Sequence, residues 1–166
     1  MSKREDECFR GRKREERDWF GLVEFGFFLI LIGTILLATP NAFDRIGKFF
    51  NDFDPKAMQI YEDIYLPAPK HEHPGVYTTV MYFCLVYGLF QIVILILRFA
   101  QKSPIDKKAG TLGGIVFWLG AAIFANALVT GGRANWYLFI GGVIVSIGLA
   151  IMVRAFVTLL FRREKE

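Results

Sequence analysis

Two charged side chains, Glu24 and Arg154, stand inside long apolar runs of the sequence, and an amide, Gln91, sits within a third. A lone charge away from water is costly, so such residues pair, reach water, or bind exchangeable protons and cations. Three readings follow. Glu24 and Arg154 form an ion pair with Gln91 satisfying leftover hydrogen-bonding groups; each long side chain extends to nearby headgroups; or Glu24 is a proton- or cation-coupled site. The second candidate is His71-Glu72-His73, which holds the chain's two histidines. In extended backbone, residues two apart point to one side, so His71 and His73 could hold zinc or copper with Glu62 or Asp63 as third ligand. Two imidazoles without a third ligand at characteristic spacing make a poor site, and the expectation is no metal and no cofactor.

Enzyme chemistry has little to stand on. The sequence shows no nucleophile placed near a base, no histidine-rich membrane cluster and no phosphate-cradling glycine loop followed by Lys. The hydroxyls of Ser146 and Thr158 are unaccompanied, and the expectation is a non-enzymatic protein.

The elements that must position these residues are four apolar runs, 19–38, 76–97, 112–129 and 136–161. A hydrocarbon layer about 30 Å thick takes about 20 helical residues to cross, and backbone inside it must satisfy its own hydrogen bonds. None of the runs carries the polar stripe of a soluble bundle helix. The predicted fold is therefore all-α, an integral membrane four-helix bundle, with residues 19–166 as a single domain behind a charged cytosolic tail at 1–18. Hydrophobic residues make up 54% of the 166-residue chain, which leaves no room for a separate soluble enzyme domain. The net charge of +4 flanks the spans, where membrane orientation explains it without nucleic acid. Cys8 falls in the tail and Cys84 in a span, so no disulfide is implied. Lys and Arg concentrate in the tail, at Arg98 to Lys108 and at Arg162 to Lys165, which puts both termini in the cytosol of a multi-pass cell-membrane protein.

Counted at about 1.5 Å per residue from the outer boundary, Glu24 and Gln91 lie about 22 Å deep and Arg154 about 27 Å. All three reach the cytosolic third, and Glu24 and Arg154 are expected to be neighbours across the first and fourth helices. Small residues let helices approach in lipid. Gly26 with Gly33, Gly113 with Gly120, and Gly141 with Gly148 each share a helix face, and Gly120 with Gly148 should mark the contact of the last two helices. Those two helices also match at an offset of 28 residues, Leu112-Gly113-Gly114-Ile115 against Ile140-Gly141-Gly142-Val143, as either a packing pattern or an inverted repeat.

The outer loop, 40–75, begins with Phe43, Ile46, Phe49, Phe50 and Phe53 at helical spacing, an amphipathic helix for the outer interface or for a partner. Residues 56–66 are read as a second short helix, and Pro67, Pro69 and Pro74 as an extended connector. Ser103 before Pro104 and Asp106 predicts a capped start to the third span. Thr130 to Asn135 predicts a tight turn, with Asn135 as cap and Trp136 as an interface anchor.

A glutamate in the first of four spans, with glycine-rich later helices, is similar to the small multidrug-resistance exporters, for which it would imply proton-coupled export of cations. The long outer loop and Arg154 depart from that pattern, so the activity is not carried over. The stretch Asp18-Trp19-Phe20-Gly21-Leu22-Val23-Glu24-Phe25-Gly26-Phe27-Phe28 resembles the openings of uncharacterised small prokaryotic membrane proteins, archaeal ones included, which implies no function. The expected role is a membrane scaffold or accessory subunit, in contact with the bilayer and with other membrane subunits or a second copy. The alternative is a small transporter or channel component using Glu24.

Overall fold

The computed structural model describes residues 19–61 and 64–163; the charged tail and Glu62-Asp63 lie outside the described residues. The chain is mostly helical. Helix α1 is Trp19–Ala38 and α2 is Ala42–Asn51; strands β1, Phe53–Tyr61, and β2, Ile64–Pro69, follow; then come α3, Pro74–Ala100, α4, Ile105–Gly131, a 3-10 turn, Gly132–Asn135, and α5, Trp136–Arg163. Among the described residues, three helical stretches are long and apolar enough to cross a membrane: Trp19–Ala38, Pro74–Ala100 and Ile105–Phe161. The third folds back on itself. Gly132 takes φ +57°, a conformation that costs glycine little, and α5 returns antiparallel along α4.

The long helices pack in the order α1, α3, α4, α5, with α4 between α3 and α5. Gly88 of α3 meets Leu119 of α4, and Gly113 of α4 meets the Ala150 carbonyl of α5. The start of α1, the ends of α3 and α5 and the start of α4 therefore share one end of the bundle. Helix α1 is peripheral and contains no buried residue. Aromatic rings fasten it to α3, with Phe27 stacked on Phe90 at 3.7 Å and Phe28 edge-on to Phe83 and Tyr87, both at 5.6 Å. Tyr87 in turn meets Trp118 of α4 at 4.9 Å. Such ring pairs add about 0.5–1.5 kcal/mol each beyond the area they bury.

The expectation of an all-α chain is corrected by the hairpin of β1 and β2. Strand β1 covers most of the segment read as a second short helix, and β2 takes Pro67 and Pro69 of the expected connector. The strands are antiparallel, with Phe53 opposite Pro69, Met58 opposite Leu66 and Tyr61 opposite Ile64. Met58, Tyr61 and Tyr65 fit a helical spacing, yet Ile60, Tyr61, Ile64 and Tyr65 are β-branched and aromatic types that favour strands. Pro55 and Pro67 lack N–H groups, and a two-stranded ladder tolerates them on its outward edges. The register slips between Asp54 and Met58, on either side of Pro55.

The amphipathic helix is present as α2, entered through Asn41 at φ 56°. Its Phe49 turns inward against Phe53, Tyr77 and Trp136, whereas Phe43 and Phe50 are exposed. Two boundary expectations are also corrected. Ser103 makes no cap for α4, whose N-cap is Pro104; Ser103 instead donates its N–H to the Arg98 carbonyl, closing the end of α3 over a left-handed Lys102 at φ 52°. Asn135 donates its side-chain amide to the Ala127 carbonyl at 2.7 Å, satisfying the end of α4 rather than the start of α5.

Candidate functional site

Glu24 has its partner on the neighbouring helix. Arg98 Nη2 donates to Glu24 Oε1 at 3.0 Å, with the Arg98 side chain 6% and the Glu24 side chain 20% exposed. The Phe20 ring lies 5.7 Å from the guanidinium carbon. The expected pairing of Glu24 with Arg154 is corrected by this geometry. Ending the second span at Leu97 assigned Arg98 to a solvated connection, but α3 continues to Ala100 and carries Arg98 into the interface with α1. Arg154 is exposed on α5, with its Cβ beside Gly113 of α4.

Gln91 is buried two turns before Arg98 on α3 and is turned toward α4, packed onto Gly114. Among the described residues, its Oε1 finds no hydrogen-bond partner. Of the three residues expected to cluster, the structure thus joins Glu24 to an arginine of different number, lodges Gln91 between α3 and α4, and leaves Arg154 on another helix.

The expected glycine contacts divide in the same way. A Cβ at Gly113 would lie 2.9 Å from the Ala150 carbonyl oxygen, and one at Gly120 would lie 2.5 Å from Ser146 Oγ. Among the described residues, Gly26, Gly33, Gly141 and Gly148 have no neighbouring atom within 4 Å of that position, so Gly148 does not mark the contact of the last two helices. The buried face of α5 is Gly142 and Ser146, followed by Ala150, whose four-residue spacing of small residues was the legible signal. Ser146 returns its hydroxyl to the Gly142 carbonyl at 2.8 Å, so it packs closely without an unsatisfied donor.

At the opposite end of the bundle, the segment between α1 and α3 is bound down by a second polar cluster. Asp52, at the end of α2, accepts the His71 backbone N–H at 2.7 Å on Oδ2 and His71 Nδ1 at 2.7 Å on Oδ1. His73 Nε2 reaches Oδ2 at 3.0 Å. Each imidazole is engaged by the carboxylate through a separate contact. Among the described residues, no group of three His, Cys, Asp or Glu side chains is placed to hold a metal ion. Glu62 and Asp63, named as third ligands, lie outside the described residues.

The cap continues onto the last hairpin. Arg133 Nη1 donates to the Lys70 carbonyl, and Trp136 Nε1 to the Pro67 carbonyl, both at 3.0 Å. Trp136 is therefore buried under the hairpin, in a cluster with Ala68, Tyr77 and Leu128, rather than serving as an interface anchor. The side-chain hydrogen bond from His71, followed by its backbone N–H, holds the Asp52 carboxyl well below its usual range. A depressed folded-state value means the contribution is complete above the free-carboxyl value of about 3.9 and is lost only as pH falls well below it. The cap is thus expected to remain closed at pH 4.5, whereas Asp52→Asn should open it even at pH 7. Protease cleavage near Lys70 is the measurement, with a several-fold faster rate expected in the variant.

Compared with family models, with curated proteins and with solved structures, the chain matches none.

Proposed function

We propose that the chain is a four-span integral membrane protein, with both termini in the cytosol, that acts as a non-enzymatic scaffold or accessory subunit. The four crossings are α1, α3, α4 and α5, the last two being the arms of the long helical stretch that turns at Gly132. The lengths and compositions of these helices support the membrane assignment, and the clustering of Lys and Arg near the end that holds Arg98 supports the orientation.

One observation carries the functional reading: the carboxylate of Glu24 is held by the Arg98 guanidinium at 3.0 Å. A glutamate that shuttles protons or cations must release its charge partner in every cycle, at the cost of leaving a guanidinium uncompensated in a low-dielectric setting. The pair suits a structural clasp for α1. That helix presents Leu22, Phe25, Leu29, Ile30 and Leu37 outward, an apolar surface available to a neighbouring membrane helix.

The test has two arms. Copurification from native membranes should recover a membrane partner whose yield falls when Leu29 and Leu37 are replaced together by Trp. In proteoliposomes, a pH gradient should drive no solute movement that depends on Glu24; movement abolished by Glu24→Gln in a stably folded protein would replace the scaffold with the transporter.

A further inference from the structure

Near the end of the bundle that holds Arg98, a cavity of about 200 Å³ opens between three helices. It is lined by Leu95 and Phe99 of α3, Ile105, Lys108 and Leu112 of α4, and Val157 and Phe161 of α5. The lining is almost wholly apolar apart from Lys108, whose Nζ is held 4.5 Å above the Phe99 ring. An apolar lining of this kind offers water almost no hydrogen-bond partners. Its volume is below the roughly 300–1,000 Å³ of drug-sized ligand sites, and it suits a stretch of flexible chain better than a ring system.

A second cation shares this face. Arg154 precedes Val157 by three residues and Phe161 by seven, so all three occupy one side of α5. It is exposed and makes no ion pair among the described residues, its expected partner Glu24 being taken by Arg98. Lys108 lines the groove from α4, and Arg154 stands one turn before its lining residue Val157 on α5, beside Gly113. The nearest acid in the sequence, Asp106, is exposed in the first turn of α4 and does not line the groove. An apolar groove with two cations beside it complements an amphipathic anion.

We propose that this groove binds an anionic phospholipid, with an acyl chain against Leu95, Leu112 and Val157 and the phosphate paired by Lys108 and Arg154. Juxtamembrane basic residues attract anionic headgroups in this manner, and two cations on different helices would favour one headgroup position over diffuse attraction. The site would fasten the α3–α4 turn to the end of α5. This rests on the membrane-embedded reading given above.

The test uses the full chain in detergent, with native mass spectrometry against phosphatidylglycerol and phosphatidylcholine. Wild type should retain one phosphatidylglycerol at least tenfold more tightly than phosphatidylcholine. Lys108→Gln and Arg154→Gln should each weaken phosphatidylglycerol about fivefold, while Lys102→Gln, which removes a charge outside the groove, should leave it unchanged. Leu112→Trp, filling the cavity, should lose the bound lipid with both cations intact. Equal retention of the two lipids by wild type, or unchanged retention in the Lys108→Gln, Arg154→Gln double variant, would overturn the site. Recovery of the wild-type chain in the soluble fraction without detergent would instead refute the membrane reading, which keeps the two failures distinct.

Discussion

Replacing Arg98 with Met is expected to destabilise the detergent-solubilised protein by about 2–3 kcal/mol, and the Glu24→Gln, Arg98→Met double variant by much less. Removing one partner of a buried pair leaves the other charge uncompensated, which typically costs about 3–5 kcal/mol. The lower figure applies because the Glu24 side chain keeps 20% of its surface exposed. A double-mutant cycle on thermal stability measures the coupling, since residues in contact depart from additivity. The same cycle on Glu24 and Arg154 should be additive. Additivity for Glu24 with Arg98 would mean that both side chains are already solvated and that α1 is held by its aromatic contacts alone.

The second large effect is expected at Gly113. A side chain there would drive into the Ala150 carbonyl, and a backbone atom cannot swing aside as the end of a flexible side chain can. Gly113→Leu should cost about 3 kcal/mol, the upper range for overpacking, and Gly120→Leu about 2 kcal/mol because Ser146 can change rotamer. Gly148→Leu should leave the melting temperature in detergent unchanged, since among the described residues nothing lies within 4 Å of its would-be Cβ. A loss at Gly148 equal to that at Gly113 would mean that α4 and α5 meet on a different pair of faces.

The apolar runs were legible because length and uniform hydropathy mark long helices directly, and the tight turn at Gly131-Gly132 was legible because two glycines interrupt an otherwise continuous run. Helix ends were less so. Apolar runs stop where charges begin, but hydrogen bonding continues, and the three residues by which α3 outlasts its run include Arg98. Counting depth along single helices matched Glu24 with Arg154 because depth carries no information about which helices are neighbours. Glycine spacing likewise defines a face without saying what covers it. In α5 the choice between Gly141 with Gly148 and Gly142 with Ser146 needed the partner helix. The hairpin is not legible in the sequence because Met58, Tyr61 and Tyr65 satisfy helical spacing while their neighbours favour a strand, an ambiguity that short apolar segments carry in general.

The central claim is that α1, α3, α4 and α5 each cross the membrane, with the cap formed by α2 and the hairpin outside and the α3–α4 turn inside. Cysteine accessibility in intact cells tests this most directly, in a background with Cys8→Ser and Cys84→Ala. A cysteine at Lys48 or Lys70 should react with an impermeant thiol reagent, as should one at Arg133 beyond the third crossing, while one at Lys107 should react only after the cells are permeabilised. Labelling of position 107 in intact cells, or protection of position 133 alongside it, would contradict the four-span arrangement.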